Sequence, residues 1–171
     1  MADVSDSEYK PFERTFSAHF AGDQAPIVFE LADPREASAF VPGAKVTIRI
    51  TAFSYEPHVF ADEADYMKYQ ENGKIKFAAN YFVPSGMFFQ KAGGTMEDDA
   101  KHPSPDADFA GTVLKAEQRA NSLGGKFWWT TVKTYDGAIF DVVMDPASIN
   151  ESPKTGSIVT GRFWLSARTA P

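Results

Sequence analysis

Alternation of apolar and polar residues is the dominant pattern along this chain, and it predicts strands. The clearest case is the segment 45–53, where apolar residues recur at every second position, as a half-buried strand requires. The same pattern, or a short apolar run, predicts further strands at 16–20, 27–31, 74–83, 109–120, 126–135, 138–144 and 157–168. So many strand segments, with few helical ones, predict a mainly β fold.

Short helices and turns separate these strands. Asp33-Pro34 supplies an N-cap and a first helical residue for a helix over about 35–40. Charged and aromatic residues predict a second helix over 61–71, and Asp145-Pro146 predicts a short helical insert ending near Asn150. Asp136-Gly137, between two apolar segments, is the strongest hairpin signal.

The order of the C-terminal elements matches an OB-fold barrel. A long strand, a two-stranded hairpin, a short insert and another strand follow one another between 109 and 168. We therefore expect an OB-like, partly open Greek-key barrel at 109–171, with additional N-terminal strands and one or two short helices. Its fifth strand would come from the N-terminal half, with Lys45–Phe53 as the candidate. Gly111 lies where the first strand needs a bulge or a close backbone approach.

The C-terminal segment also resembles an uncharacterised group of bacterial OB-like proteins. The resemblance is limited to residues 109–168 and rests on four stretches: Phe109-Ala110-Gly111-Thr112-Val113, Phe127-Trp128-Trp129, Phe140-Asp141-Val142-Val143-Met144-Asp145-Pro146, and the stretch 156–166 around Phe163-Trp164. It implies an OB-like fold, and it brings no established activity and no catalytic residues.

The domain organisation predicted from composition is simple. Residues 1–10 are polar and predicted to be disordered, and residues 11–171 are predicted to form a single compact domain. The segment 91–108 combines Gly93-Gly94, Pro103 and Pro105 with acidic residues and has no apolar periodicity. It predicts a long loop that would mark a subdomain boundary.

Charge narrows the classes of partner. The chain of 171 residues has a formal net charge of −6, which argues against non-specific binding to nucleic acids or to anionic membranes. The negative charge is concentrated in residues 1–108, and this predicts either a solvated acidic face or a docking surface for a basic partner. The chain has no cysteine, no signal-peptide pattern and no apolar run long enough to span a membrane. We expect a cytoplasmic protein.

One candidate ligand-binding surface emerges from the phase of the last strand. Trp164 shares a phase with Arg162 and Arg168, and Trp129 and Tyr135 lie on one phase of the strand 126–135. Aromatic rings flanked by cations are typical of platforms for single-stranded nucleic acids or oligosaccharides. The alternative is that the N-terminal half covers this face and buries the tryptophans as a second core.

Catalytic and metal-binding motifs are missing from the sequence. There is no Gly-x-Ser-x-Gly, Gly-x-Gly-x-x-Gly or Walker pattern, and His19, His58 and His102 lack the spacing of a metal motif. We expect no catalytic residue, no metal and no cofactor. These observations favour a non-enzymatic binding module, for a protein partner that docks on an acidic surface. The alternatives are an oligosaccharide or single-stranded nucleic-acid binder using the aromatic and arginine face, and an unrecognised hydrolase with scattered carboxylates.

Overall fold

Strands dominate the structure and confirm the mainly β class. The computed structural model describes residues 2–4, 15–20, 26–73, 75–84 and 104–170. The strands of these residues are β1 Ala2–Val4, β2 Thr15–Phe20, β3 Pro26–Leu31, β4 Lys45–Val46, β5 Ile48–Ser54, β6 His58–Phe60, β7 Phe82–Pro84, β8 Asp106–Ala120, β9 Lys126–Lys133, β10 Ile139–Met144 and β11 Ile158–Thr169. The α-helix α1 spans Glu63–Tyr69, and 3-10 helices span Pro34–Ala39, Gln70–Asn72 and Tyr135–Gly137.

The chain divides into two compact units. The first unit comprises Met1–Ile50, Val83–Ala107 and Trp164–Pro171, and the second unit comprises Thr51–Phe82 and Asp108–Phe163. Of the predicted disordered segment 1–10, Ala2–Val4 form β1 and the other residues lie outside the described ones. Most of the predicted loop 91–108 also lies outside them, and β8 begins within its last residues, at Asp106.

The second unit holds a partly closed ring of five strands. β9 pairs antiparallel with β8 and with β10, and β10 pairs parallel with the end of β5. β11 completes the ring: its Arg162 carbonyl accepts from Tyr55 N at 2.9 Å, and Val113 N donates to the Ser157 carbonyl at 2.8 Å. This order is compatible with the OB-like barrel, and the strand from the N-terminal half takes the fifth place as expected.

Close backbone packing at Gly111 explains why the long strand β8 contains a glycine there. A Cβ at this position would lie 2.5 Å from the Lys133 carbonyl oxygen and 2.5 Å from Val132 Cγ1. No side chain fits at such distances. The predicted close approach of backbone at Gly111 is therefore confirmed.

Aromatic side chains fill the core of the second unit. The Phe109 ring stacks on Phe163 with centroids 4.1 Å apart and meets Phe140 edge-on at 5.5 Å, and Phe82 packs against Phe109 and Phe140. Offset and edge-to-face pairs of this kind add to the stabilisation from area burial. Phe109 of β8 and Phe163 of β11 therefore face the interior of this unit.

The first unit contains its own sheet and aromatic cluster. β2 pairs antiparallel with β1 and β3, and β3 pairs parallel with the end of β11 through Ser166 and Ala167. The rings of Phe16, Phe29 and Phe40 pack together. Asp33 caps the 3-10 helix by accepting from Arg35 N at 2.9 Å. The predicted helix over 35–40 is therefore present, in 3-10 form.

Two predicted elements are wrong. The segment 74–83 is not a strand, since only Phe82 and Val83 of it enter β7. Its backbone is diverted because the Gln70 amide accepts from Phe77 N at 2.7 Å and donates to the Phe77 carbonyl at 3.0 Å. The predicted helix after Asp145 is a single turn, in which Asp145 accepts from the Ala147 and Ser148 backbone amides.

Turns at the other predicted positions agree with their sequence signals. Asp136 and Gly137 both have positive φ, 49° and 75°, as the tight turns preferred by hairpins require. The helix predicted over 61–71 is present as α1 and the 3-10 turn that follows it. Asp62 caps α1 by accepting from Asp65 N at 2.9 Å.

Candidate functional site

A β-bulge in β8 decides which of its side chains face outward in the second unit. Val113 pairs with Val132, and the next paired residue, Lys115, faces Thr131, so Leu114 is the extra residue. A bulge of one residue reverses the phase of every residue after it. Val113 is fully buried, whereas Lys115 and Arg119 are exposed. The bulge therefore turns the charged half of β8 away from the core.

In the strand register, the charged residues of β8 lie in line with apolar side chains of β9, β10 and β5. Glu117 faces Trp129, Trp129 faces Val143, and Val143 pairs with Phe53. Partners in register lie on the same side of a sheet, with strands about 4.8 Å apart. We call this surface the outer face and define it by Phe53, Lys115, Glu117, Arg119, Phe127, Trp129 and Val143.

Trp129 is the centre of the outer face. The Arg119 guanidinium lies 3.8 Å from the centroid of its ring, and Lys115 Nζ lies 5.4 Å away. Both distances fall within the range of cation–π attraction. Trp129 is half-buried and Phe53 is 45% exposed. The outer face thus presents aromatic surface together with two cations.

Glu117 holds the two cations in place. Its carboxylate accepts from Lys115 Nζ at 2.6 Å and from Arg119 Nη2 at 2.6 Å. The hydrogen bond from Lys115, followed by the one from Arg119, lowers the pKa of Glu117. Glu117 is therefore ionised at neutral pH, and it offsets part of the positive charge that the pair would otherwise present.

The predicted platform residues on the last strand divide between the two units. Trp164 and Arg168 belong to the first unit and Arg162 to the second. Trp164 is half-buried, and its indole Nε1 donates to Glu30 Oε2 at 3.1 Å. Both arginines are exposed. A tryptophan whose N–H is satisfied by a carboxylate of its own unit has less capacity to recognise a ligand.

Trp129 and Tyr135, the other two predicted residues, both lie in the second unit. Trp129 lies at the centre of the outer face. Tyr135 lies beyond the end of β9, in the 3-10 turn Tyr135–Gly137, and is 38% exposed. Trp129 is therefore the predicted residue around which aromatic and cationic groups assemble.

Sequence reasoning missed Arg119, Lys115 and Phe53. Alternation in β8 stops after Leu114, and this loss of pattern is the signal that could have indicated the bulge. Phe53 ends the predicted strand 45–53, but its pairing with Val143 is a contact between residues distant in sequence. Alternation along a single strand does not reveal such a contact.

A second surface of the second unit surrounds α1. Tyr66 anchors the helix, with 3% of its surface exposed, against Phe60, Ala110 and Ile158. On α1, Met67 is 42% exposed and Tyr69 is 63% exposed, and the Tyr69 ring also packs against Phe60, with centroids 5.1 Å apart. The carboxylates around them are also exposed. We call this the α1 surface and define it by Glu56, Asp62, Glu63, Asp65, Met67, Tyr69 and Glu71.

Within the described ranges, histidines and carboxylates form no group of three that could hold a metal ion. None of the helices in the described part of the chain has the length and apolar character needed to cross a membrane.

The chain shows no significant similarity to a protein-family model, a curated protein or a solved structure.

Proposed function

We propose that this protein is a binding module and that the outer face binds a single-stranded oligonucleotide. The observation that supports this most is the Arg119 guanidinium held 3.8 Å over Trp129. Aromatic rings and arginine planes stack on bases, and cations beside them attract phosphates. The outer face offers both kinds of group on one sheet.

The local charge agrees with an anionic ligand although the whole chain is acidic. Between residues 109 and 133, the hairpin of β8 and β9 carries four basic residues and one acidic residue. A base that takes the place of the guanidinium over Trp129 frees Arg119 for a phosphate. Because Glu117 competes for the same cations, we expect binding to be weak and strongly dependent on salt.

Tryptophan fluorescence tests the proposal directly. Titration with oligothymidine of about ten nucleotides should quench the wild-type signal. Arg119→Ala and Trp129→Phe should each weaken binding about tenfold, as loss of a stacking or charged contact of 1–3 kcal/mol implies. Trp164→Phe is the matched control and should bind like wild type.

Equal affinity for oligothymidine in wild type, Arg119→Ala and Trp129→Phe would contradict the proposal that the outer face binds it. Quenching by a neutral oligosaccharide but not by oligothymidine would contradict oligonucleotide binding and favour an oligosaccharide ligand.

A second candidate function is the binding of a basic protein partner at the α1 surface. Tyr69, exposed by 63%, lies in a segment that carries five exposed carboxylates. Exposed aromatic side chains inside a charged rim are typical of protein interfaces. A fluorescently labelled peptide of lysine and leucine should bind, and Tyr69→Ser should weaken that binding. Binding that survives Tyr69→Ser unchanged would place the peptide elsewhere.

We propose a cytoplasmic location and membership of the bacterial OB-like group that residues 109–168 resemble. An unrecognised hydrolase is the alternative in a different class, and turnover of a generic ester or phosphodiester substrate would favour it.

A further inference from the structure

The tip of the β8–β9 hairpin exposes a single apolar side chain on an ordered loop. Leu123 is 94% exposed. The loop beneath it is held by Asn121, whose Oδ1 accepts from Leu123 N at 3.0 Å and from Gly125 N at 2.9 Å. The backbone closes the turn with a bond from Asn121 N to the Gly125 carbonyl at 2.9 Å. A preformed loop loses little conformational entropy when it binds.

Leu123 is accompanied by positive charge. Arg119 and Lys126 flank the loop, and both are exposed. We call Leu123 with these two residues the hairpin tip. An apolar anchor beside cations fits a surface that offers apolar groups within an acidic rim.

The α1 surface has that complementary composition. Between residues 56 and 71 the chain carries five acidic residues and one lysine. Tyr69 supplies exposed apolar area on this surface.

The two surfaces lie at opposite ends of the same strand. Tyr66 of α1 packs in one cluster with Ala110, near the start of β8. The hairpin tip begins just before Ala120, where β8 ends. Ten residues of strand span roughly 30 Å. One copy of the chain therefore cannot bring its own hairpin tip onto its own α1 surface.

We propose that the hairpin tip of one copy docks on the α1 surface of a second copy. The proposal rests on the second candidate function and names its partner as this same chain. Leu123 packs against Tyr69, and Lys126 faces the carboxylates of the acidic rim. A two-fold pair of copies makes this contact twice.

Sedimentation equilibrium of the full chain tests the contact. The average mass should rise with protein concentration at about 50 mM salt and fall at high salt, because screening weakens the charge attraction. Leu123→Asp should weaken association at least about tenfold. Val41→Asp, at an apolar position of the first unit that is 54% exposed, is the matched control and should associate like wild type.

Charge reversal then tests the pairing of the two surfaces. Lys126→Glu and Glu71→Lys should each weaken association, and the double variant should recover most of it. A monomeric mass at every concentration, or association that Leu123→Asp leaves unchanged, overturns the inference. Retained binding of the lysine and leucine peptide by such a monomer would leave the second candidate function standing, and loss of both would remove it as well.

Discussion

Arg119 and Glu117 make opposed contributions to the outer face. Arg119 supplies the cation over Trp129, and Glu117 binds that cation and Lys115 in short ion pairs. Exposed ion pairs contribute little to stability, so the arrangement has little effect on folding. The sequence indicates a cationic and aromatic surface around Trp164, Arg162 and Arg168, whereas the bulge at Leu114 places Lys115 and Arg119 on the same face as Trp129.

Glu117→Gln should strengthen oligonucleotide binding several-fold. The amide keeps the size of the side chain but removes the charge that competes with phosphate for Lys115 and Arg119. Fluorescence titration at low salt measures the change. Glu151→Gln, at an exposed carboxylate outside the outer face, should leave the affinity unchanged. Weaker binding by Glu117→Gln would mean that Glu117 itself contacts the ligand.

At the scale of elements, side-chain amides bind the backbone of two short segments, one of which, β6, also pairs with β11. Gln70 satisfies the backbone of Phe77, and Asn150 satisfies that of Val59 in β6. Alternation predicted β5, β8, β9, β10 and β11, because each buries one face. It also predicted a strand at 74–83, where the structure has a bend and a turn. The contact that diverts Phe77 comes from Gln70, a polar residue outside the pattern.

Asn150→Ala should loosen β6. Asn150 Oδ1 accepts from Val59 N at 2.8 Å, and its Nδ2 donates to the Val59 carbonyl at 2.8 Å. Loss of both bonds leaves a buried donor and acceptor unsatisfied and should cost about 1–3 kcal/mol. Hydrogen exchange at the Val59 amide should accelerate, whereas Glu151→Ala should leave it protected. Unchanged exchange in Asn150→Ala would show that the amide is not what holds β6.

Gly111→Ala should destabilise the protein more than Gly156→Ala does. At Gly111 the new Cβ meets the Lys133 carbonyl and Val132 at 2.5 Å, whereas at Gly156 nothing lies within 4 Å and only the φ of 90° opposes a side chain. We expect about 1–2 kcal/mol at Gly156 and a larger loss at Gly111. Urea denaturation compares the two. Equal losses would mean that β8 and β9 separate easily at Gly111.

At the scale of the whole molecule, the net charge is negative, but the chain carries two surfaces of opposite charge. The hairpin of β8 and β9 is basic, and the segment around α1 is acidic. The net charge of −6 argued against nucleic acids, but a binding surface depends on local charge. The sequence predicted the barrel order and its N-terminal fifth strand. Apart from Trp129, it did not locate the outer face, because pairing between distant strands assembles it.

Global stability should fall at alkaline pH in a way that depends on Tyr66. Burial raises the pKa of Tyr66 to about 12. The folded protein therefore keeps a proton that the unfolded chain releases above its ordinary pKa of about 10. This contribution to stability is complete below pH 10 and is lost as the pH rises towards 12.

Urea denaturation across this alkaline range checks the effect. The decline in stability should be shallower in Tyr66→Phe, and Tyr69→Phe is the exposed control that should decline like wild type. A decline in Tyr66→Phe as steep as in wild type would contradict the assignment.

The most direct test of the outer face as a binding surface is an NMR titration of the ¹⁵N-labelled protein with oligothymidine. Binding at the outer face predicts that the largest shifts occur at the amides of Phe53, Val143 and the segments 115–119 and 127–131, and at the indole of Trp129. The signals of α1 and the Trp164 indole should stay in place. Shifts centred on α1 or on Trp164, or no shifts at all, would contradict it.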